Sequence, residues 1–239
     1  MESDAVAIIP ARGGSKRIPR KNIRMLGGAP LISYPISVAL SSKMFTKVVV
    51  STDDAEIASI AEECGAEVLG ARPSHLSDDF ASTVSVIAFE LARLLAGGTR
   101  AEYVCCIYPA AFTTSVEDLR ESLSILESTS MDFVAAVTEF DHPIQRAMRI
   151  SDLGDLTFLD PPAAASRTQD LEVLWHDAGQ FYWGRTSAWL DERSILLNAA
   201  GYRMSGHRVV DIDTESDWRR AEALLRTEQA SGDRSLPTS

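Results

Sequence analysis

The stretch Ile9-Pro10-Ala11-Arg12-Gly13-Gly14-Ser15-Lys16-Arg17-Ile18-Pro19-Arg20-Lys21-Asn22 decides the reading of this chain. It closes a short apolar run, Val6 to Ile9, that stops at Pro10 as a buried strand would. Six cations lie from Arg12 to Arg24 with no acid among them, in a protein whose formal net charge is −11. Glycines directly after a strand let backbone approach a ligand closely, and their amides can form a nest for phosphate oxygens. Arg12, Lys16, Arg17 and Lys21 would add charge-assisted bonds, bidentate from Arg. Such a loop in a parallel α/β sheet sits at the carboxyl end of the first strand, where ligands bind. Its spacing fits neither the Walker A loop nor G-x-G-x-x-G. The expectation is a local polyanion site on an acidic protein.

Working outward, strands and helices alternate. Val48 to Val50 reads as a second strand, leading into Ser51-Thr52-Asp53-Asp54, and Glu67 to Leu69 as a short third. Helices are expected from Pro30 to Ser42, from Asp54 to Cys64 and from Thr83 to Leu95. Tyr103 to Tyr108 and Phe133 to Val137 are further strands, with a capping box at Ser115 to Asp118 between them. The rhythm breaks after Pro143, where a long excursion is expected, and strand character returns at Gly179 to Trp183 and Arg208 to Ile212. Thr214 to Asp217 caps a last helix carrying Trp218, Leu224 and Leu225. Crossover connections of this kind predict an α/β sandwich with a mostly parallel sheet and helices on both faces. We expect one domain over residues 1–230, an excursion over 140–178, and a disordered polar tail over 231–239.

Composition narrows the classes. A net charge of −11 argues against non-specific nucleic-acid binding. No apolar run approaches the roughly 20 residues of a membrane helix, and Met-Glu-Ser-Asp is acidic where a secretory leader would be basic. The three cysteines read as small buried hydrophobes of a reducing, cytoplasmic protein. Asp211 and Asp213 form D-x-D, which places both carboxylates on one face of an extended segment, suited to a hard cation beside phosphate oxygens.

Four stretches then agree with one another. Besides the opening loop they are Arg72-Pro73-Ser74-His75-Leu76-Ser77-Asp78-Asp79 with Ser82-Thr83 after it, Arg167-Thr168-Gln169-Asp170-Leu171-Glu172 ahead of Trp175-His176-Asp177-Ala178-Gly179-Gln180-Phe181-Tyr182-Trp183-Gly184, and Val210 to Thr214. Together they resemble the CMP-sialic acid synthetase family, cytidylyltransferases that activate nine-carbon acidic sugars. The H-D-A-G-Q-F-Y-W-G run is similar to the branch acting on pseudaminic acid, where neuraminic acid enzymes more often read N-G-A-I-Y. The resemblance spans about Val6 to Leu225. It implies a GT-A-like fold, CTP as donor, Mg2+ as cofactor, and a homodimer in which the excursion swaps onto or docks against the second subunit. The reaction implied is attack of the sugar's anomeric hydroxyl on the α-phosphorus, releasing diphosphate, in surface-glycan synthesis.

By the same resemblance Arg12, Lys16 and Lys21 are the catalytic cations, and Lys21 neutralises charge at the α-phosphate. Ala11, Gly13, Gly14, Ser15 and Asn22 contact the nucleotide, and Arg72 and Ser82 lie on the cytosine side. Tyr108, Arg167, Gln169, His176, Asp177 and Gln180 belong to the sugar side, and Asp211 and Asp213 hold the metal. Arg17 and Arg20 are read as flank, and Phe181 to Trp183 as packing. One departure is visible: relatives show a loop like Y-x-T-A-P-F where this chain has Tyr108-Pro109-Ala110-Ala111-Phe112. That leaves open another acid sugar (N-acetylneuraminic, legionaminic or deoxyoctulosonic) or a CTP-binding protein without turnover.

Overall fold

The computed structural model describes residues 4–78, 81–231 and 237. Asp79 of the second motif, and nearly all of the tail expected to be disordered, lie outside the described residues. In chain order the elements are β1 (Ala5–Pro10), β2 (Met25–Leu26), β3 (Ala29–Pro30), α1 (Ser33–Ser42), β4 (Lys47–Ser51), α2 (Ala55–Glu63), α3 (Thr83–Ala96) and β5 (Tyr103–Ile107). They continue with α4 (Val116–Ser128), β6 (Phe133–Glu139), β7 (Met148–Ile150), β8 (Leu156–Phe158), α5 (Pro161–Ala165), β9 (Trp175–Arg185), α6 (Thr186–Leu190), β10 (Ala199–Arg203) and α7 (Glu215–Ser231).

Six strands form one sheet in the order β10-β6-β9-β5-β1-β4. β9 alone runs against its neighbours; the β1–β4, β1–β5 and β6–β10 pairs are parallel. Alternation along β1 divides the core. Ala5, Ala7 and Ile9 face a cluster built with α1, α2 and α4, while Val6 and Ile8 face Ile87, Leu91 and Trp189 of α3 and α6. Caps fix where the helices start. Asp54 accepts from the Glu56 and Ile57 amides at the head of α2, and Ser115 with Asp118 forms the expected capping box on α4.

A third apolar cluster positions the site. Ile18 of the basic loop, Leu26 and Leu31 of the small hairpin, Val210, Ile212, and Trp218 and Leu225 of α7 are all buried together. Arg24 lies over the Trp218 ring at 4.2 Å and pairs with Glu215 at 2.5 Å. This cluster clamps the end of the chain against its beginning.

The sequence reading needs four corrections. The helix expected at Pro30 starts at Ser33, because Pro30 pairs with Met25 in the β2–β3 hairpin. The run from Arg208 to Ile212 is no strand: a 3-10 turn covers Gly206–Arg208, and the extended chain after it is held by the third cluster. The third short strand is a single parallel bridge between Val49 and Glu67. The excursion is shorter than expected, because Trp175 to Asp177 pair with Glu139 to Val137 and are already in the sheet.

Candidate active site

The carboxyl ends of β1, β4 and β5 lie side by side, and residues following β1 and β5, joined by others from β6, β9 and the chain leading into α7, line three adjoining cavities. The first, of about 500 Å³, is lined by Arg12, Ser15, Lys16, Arg17, Lys21 and Asn22 from the basic loop and by Asp211 and Asp213 from the far end of the chain. The second, of about 220 Å³, runs past Arg12, Arg72, Leu76, Asp78, Thr83 and Tyr108. The third, of about 600 Å³, is bordered by Thr138, Glu139, Asp141, His176, Asp177, Tyr182 and Arg220. Tyr108 lines all three, and Asp211 lines both the first and the third.

The basic loop works differently from the sequence expectation. Three of its amides are engaged within the protein: Ala11 donates to the Ser51 carbonyl, Gly13 to Asp53 Oδ1, and Ser15 to the Gly13 carbonyl. Ala11 is fully buried. The first cavity is lined by the cationic side chains of Arg12, Lys16, Arg17 and Lys21. Neither Gly13 nor Gly14 has a positive φ. Gly13 is required for space, since a Cβ there would stand 2.6 Å from Asp54 Oδ2, whereas Gly14 has nothing within 4 Å of such an atom. Arg20, read as flank, braces the loop by pairing with Asp54 and Glu56. That pairing holds the Asp54 carboxyl below its usual range.

Across this cavity Lys21 Nζ donates to the Ile212 carbonyl at 2.6 Å and lies 3.6 Å from Asp213 Oδ1. Arg17 pairs with Asp213 at 2.8 Å, so it too belongs to the site. Asn22 is buried and donates to the Arg12 carbonyl, fixing the loop's first bend. Burial, and then the neighbouring Asp213, push the Asp211 carboxyl up. Two carboxylates bordering a polyphosphate-sized, cation-lined cavity fit a hard divalent ion whose remaining ligands are phosphate oxygens and water. They do not make a protein-only cage: among the described residues no group of three His, Cys, Asp or Glu could hold a metal.

Arg72 is buried, with its backbone N–H on the Thr52 carbonyl and its Nη2 3.8 Å from Asp53 Oδ1. Ser82 does not line the second cavity; its hydroxyl accepts the Ser85 amide as the cap of α3. Tyr108 hydrogen-bonds Thr83 at 3.0 Å and stacks edge-on against Tyr182 at 5.4 Å. Tyr182, read as packing, donates to Asp177 Oδ2 at 2.6 Å, while Asp177 Oδ1 accepts the Gly179 amide. His176 shares this wall, its Nδ1 2.9 Å from the Asp177 carbonyl. Gln180 is buried behind the wall, bonded to the Ala178 carbonyl and near the Thr113 hydroxyl. Arg167 and Gln169 are not brought in: they sit on the exposed excursion, where Arg167 pairs with Asp170. Asp53, Asp54 and Tyr182 are what the sequence reading missed. The signal for the first two was a D-D pair directly after a strand at the ligand end of the sheet.

Cations gathered at the ligand end of a mostly parallel sheet, with a second cavity opening from a shared carboxylate, define the nucleotidyltransferase class. Solved structures agree on the fold. CMP:2-keto-3-deoxy-manno-octonic acid synthetase, complexed with CTP, superposes with a TM-score of 0.70 at 17% identity, covering 95% of this chain and 100% of that one. The 4-diphosphocytidyl-2C-methyl-D-erythritol synthase of Anaerococcus prevotii gives 0.59 at 15% identity, with 95% and 100% coverage. Residues 6–207 match the cytidylyltransferase family, and the chain belongs to it. It is 39% identical over 227 residues to a pseudaminic acid cytidylyltransferase of Campylobacter jejuni, covering 95% of this chain and 98% of that protein. It is 28% identical to the CMP-N,N'-diacetyllegionaminic acid synthase of Legionella pneumophila, covering 94% and 97%.

Proposed function

We propose that this cytidylyltransferase transfers the cytidylyl group of CTP to pseudaminic acid, forming CMP-pseudaminic acid and diphosphate for surface glycans. The observation that carries the reading is the position of Asp211 and Tyr108, shared by the cationic cavity and the 600 Å³ cavity beside it. The α-phosphorus belongs at that junction, where an acceptor hydroxyl from the larger cavity can approach it. The new P–O bond forms to the sugar's anomeric oxygen as the bond to the β-phosphate breaks. Transfer of this kind depends on positioning and charge neutralisation more than on covalent help from the protein.

Arg12, Lys16 and Lys21 take the triphosphate, with Lys21 3.6 Å from Asp213 of the metal pair. Ser15 and Asn22 shape the same wall; Ala11, Gly13 and Gly14 carry the loop. Arg72 addresses the cytosine, because a buried guanidinium offers a pyrimidine carbonyl a fixed fork of donors. Mg2+, held by Asp211 and Asp213, would supply charge neutralisation at the phosphates. Tyr108, His176 and Asp177 form the acceptor wall, and Gln180 supports it from behind.

Arg167 and Gln169 fit this scheme only if the excursion of one copy reaches the acceptor cavity of another. A homodimer is supported by the β7–β8 hairpin, where Met148, Ile150, Leu156 and Phe158 are exposed side by side and Leu153 at the tip is 91% exposed. A two-stranded hairpin is marginal alone, and an apolar face of this kind requires cover. Among the described residues no helix is long and apolar enough to cross a membrane, and we place the reaction in the cytoplasm. The test is diphosphate release from CTP and Mg2+ with pseudaminic, N-acetylneuraminic or N,N'-diacetyllegionaminic acid. Release with pseudaminic acid alone is expected. Release with another sugar alone overturns the acceptor, and silence with all three overturns turnover.

A further inference from the structure

The segment Ser51-Thr52-Asp53-Asp54 touches both arms of the nucleotide site. On one side it holds the start of the basic loop: the Ser51 carbonyl takes the Ala11 amide, and Asp53 Oδ1 takes the Gly13 amide at 3.0 Å. On the other it holds Arg72: the Thr52 carbonyl takes the Arg72 amide at 2.9 Å, and the same Asp53 Oδ1 stands 3.8 Å from Arg72 Nη2. One oxygen therefore serves a loop amide and the guanidinium together. The segment itself is immobilised from below, since the Ser51 hydroxyl donates at 2.8 Å to Glu90, a carboxylate 1% exposed. It is also fixed from the side, where Asp54 caps α2 and pairs with Arg20. Gly13 lies so close to Asp54 that a Cβ would not fit, so the loop rests directly on this segment. The Arg72 side chain is only 3% exposed, so bulk solvent screens its attraction to Asp53 poorly.

We propose that Asp53 is a positioning residue that couples recognition of the base at Arg72 to the setting of the phosphate loop at Gly13. The inference rests on the nucleotide reading given above. When Arg72 donates to a cytosine, its position relative to Asp53 becomes fixed, and the Gly13 amide on the same oxygen is fixed with it. A base that does not engage Arg72 leaves the loop less well set. Selectivity for cytosine is then expressed at the phosphates as well as in the base cavity. By linkage the effect is reciprocal: a bound triphosphate tightens the base cavity by the same factor.

The two halves of the ligand can be supplied separately. Calorimetry on the full chain would measure the affinity for cytidine with and without saturating tripolyphosphate, in buffer free of divalent ions. The native protein is expected to bind cytidine on the order of tenfold more tightly when tripolyphosphate is present, an ordinary coupling between sites. Asp53→Asn keeps an oxygen for the Gly13 amide but removes the charge facing Arg72. It should bind tripolyphosphate as the native protein does while the coupling falls to within about twofold of none. Asp53→Ala should lose the coupling and also weaken tripolyphosphate binding; if that variant fails to fold, Asp53→Asn still decides the question. In turnover, the preference for CTP over UTP should fall in both variants. Coupling retained in Asp53→Asn, or absent from the native protein, overturns the proposal. Arg72→Ala separates the two levels of inference. If it leaves cytidine affinity unchanged, the base-site reading fails and the proposal with it. If it abolishes cytidine binding while the Asp53 variants keep the coupling, the proposal alone fails.

Discussion

Lys21 Nζ reaches the Ile212 carbonyl at 2.6 Å, a contact between residues 191 apart in the chain that joins the basic loop to the carboxylate pair. The ammonium is anchored by one donor and keeps others for a ligand, while Asp213 Oδ1 at 3.6 Å fixes its side of the cavity. A cation held in place before the substrate arrives acts most strongly where charge develops during transfer. Lys21→Ala should therefore lower kcat by roughly 10²- to 10³-fold, the range seen on removing one preorganised electrostatic group. CTP affinity should fall much less. Steady-state kinetics beside calorimetric CTP binding would check this, and equal losses in both would make Lys21 a uniform binding contact.

Gly13→Ala should damage the nucleotide site through sterics. The added Cβ would meet Asp54 Oδ2 at 2.6 Å, and Asp54 has no room to yield because it caps α2 and pairs with Arg20. Relief has to come from moving the loop, so CTP affinity should drop about tenfold or more, with overpacking costing about 1–3 kcal/mol of stability. Gly14→Ala is the contrast: with open space around it, it should melt as the native protein does. Thermal melts and CTP titration of both variants would decide, and equal melting of the two would refute the steric account.

What could be read from the sequence was what is local. The Ser115 capping box, the apolar strand that stops at Pro10 and the helix between Asp54 and Cys64 each depend on residues a few positions apart, and all are present. Gly13 is the contrary case: its constraint comes from the Asp54 side chain, 41 positions away, and not from a positive φ of its own. The apolar Val209, Val210 and Ile212 give the extended segment carrying Asp211 the pattern of a strand, yet Val210 and Ile212 pack with Ile18, Leu26 and Trp218, and Val209 against the main core, with no neighbouring strand to pair with among the described residues. β10, with the sequence Ala-Ala-Gly-Tyr-Arg, carries almost no strand propensity and exists because β6 offers it an edge. Only a motif assigns Arg167 to the sugar side, and within a single chain it stays on the exposed excursion.

Asp211→Ala tests the metal assignment. Asp213 is already engaged with Arg17 and Lys21, so Asp211 is the carboxylate with more to give to a cation. Removing it should raise the Mg2+ concentration for half-maximal activity by about tenfold or more, because Mg2+ sites rely on one or two carboxylates beside phosphate oxygens. CTP binding measured without Mg2+ should not weaken. A Mg2+ titration that superposes on the native curve would remove Asp211 from the metal site.

Acid sensitivity should be governed in part by Asp118. Burial pushes its carboxyl up, but Arg208, with the Ser115 amide and hydroxyl, outweighs burial and holds it below the usual range. A carboxyl depressed in the folded state stabilises the fold fully above its unfolded value, near 3.9, and that contribution is lost as pH falls through the folded value. Arg208→Met would leave a buried carboxylate without its cation, at an expected loss of about 3–5 kcal/mol at neutral pH. The variant should also lose stability less steeply below about pH 4 than the native protein. Urea unfolding at pH 7 and through the acid range would test both, and parallel pH profiles for the two proteins would exclude Asp118 as the group responsible.

The apolar hairpin gives a prediction about assembly and activity together. Ile150 and Leu156 pair directly across β7 and β8, and both are exposed, so a carboxylate at each would place two like charges in the middle of the proposed interface. Neither residue lines any of the three cavities. The double variant Ile150→Glu, Leu156→Glu should sediment as a single chain where the native protein sediments as two. CTP binding should be retained, since the cationic cavity is built within one copy. In the proposed dimer the excursion of one copy brings Arg167 and Gln169 to the acceptor cavity of the other, so turnover should fall through a raised KM for the sugar. A native protein that sediments as one chain would overturn the dimer. A monomeric variant with native sugar kinetics would keep the dimer but free Arg167 and Gln169 from any part in acceptor binding.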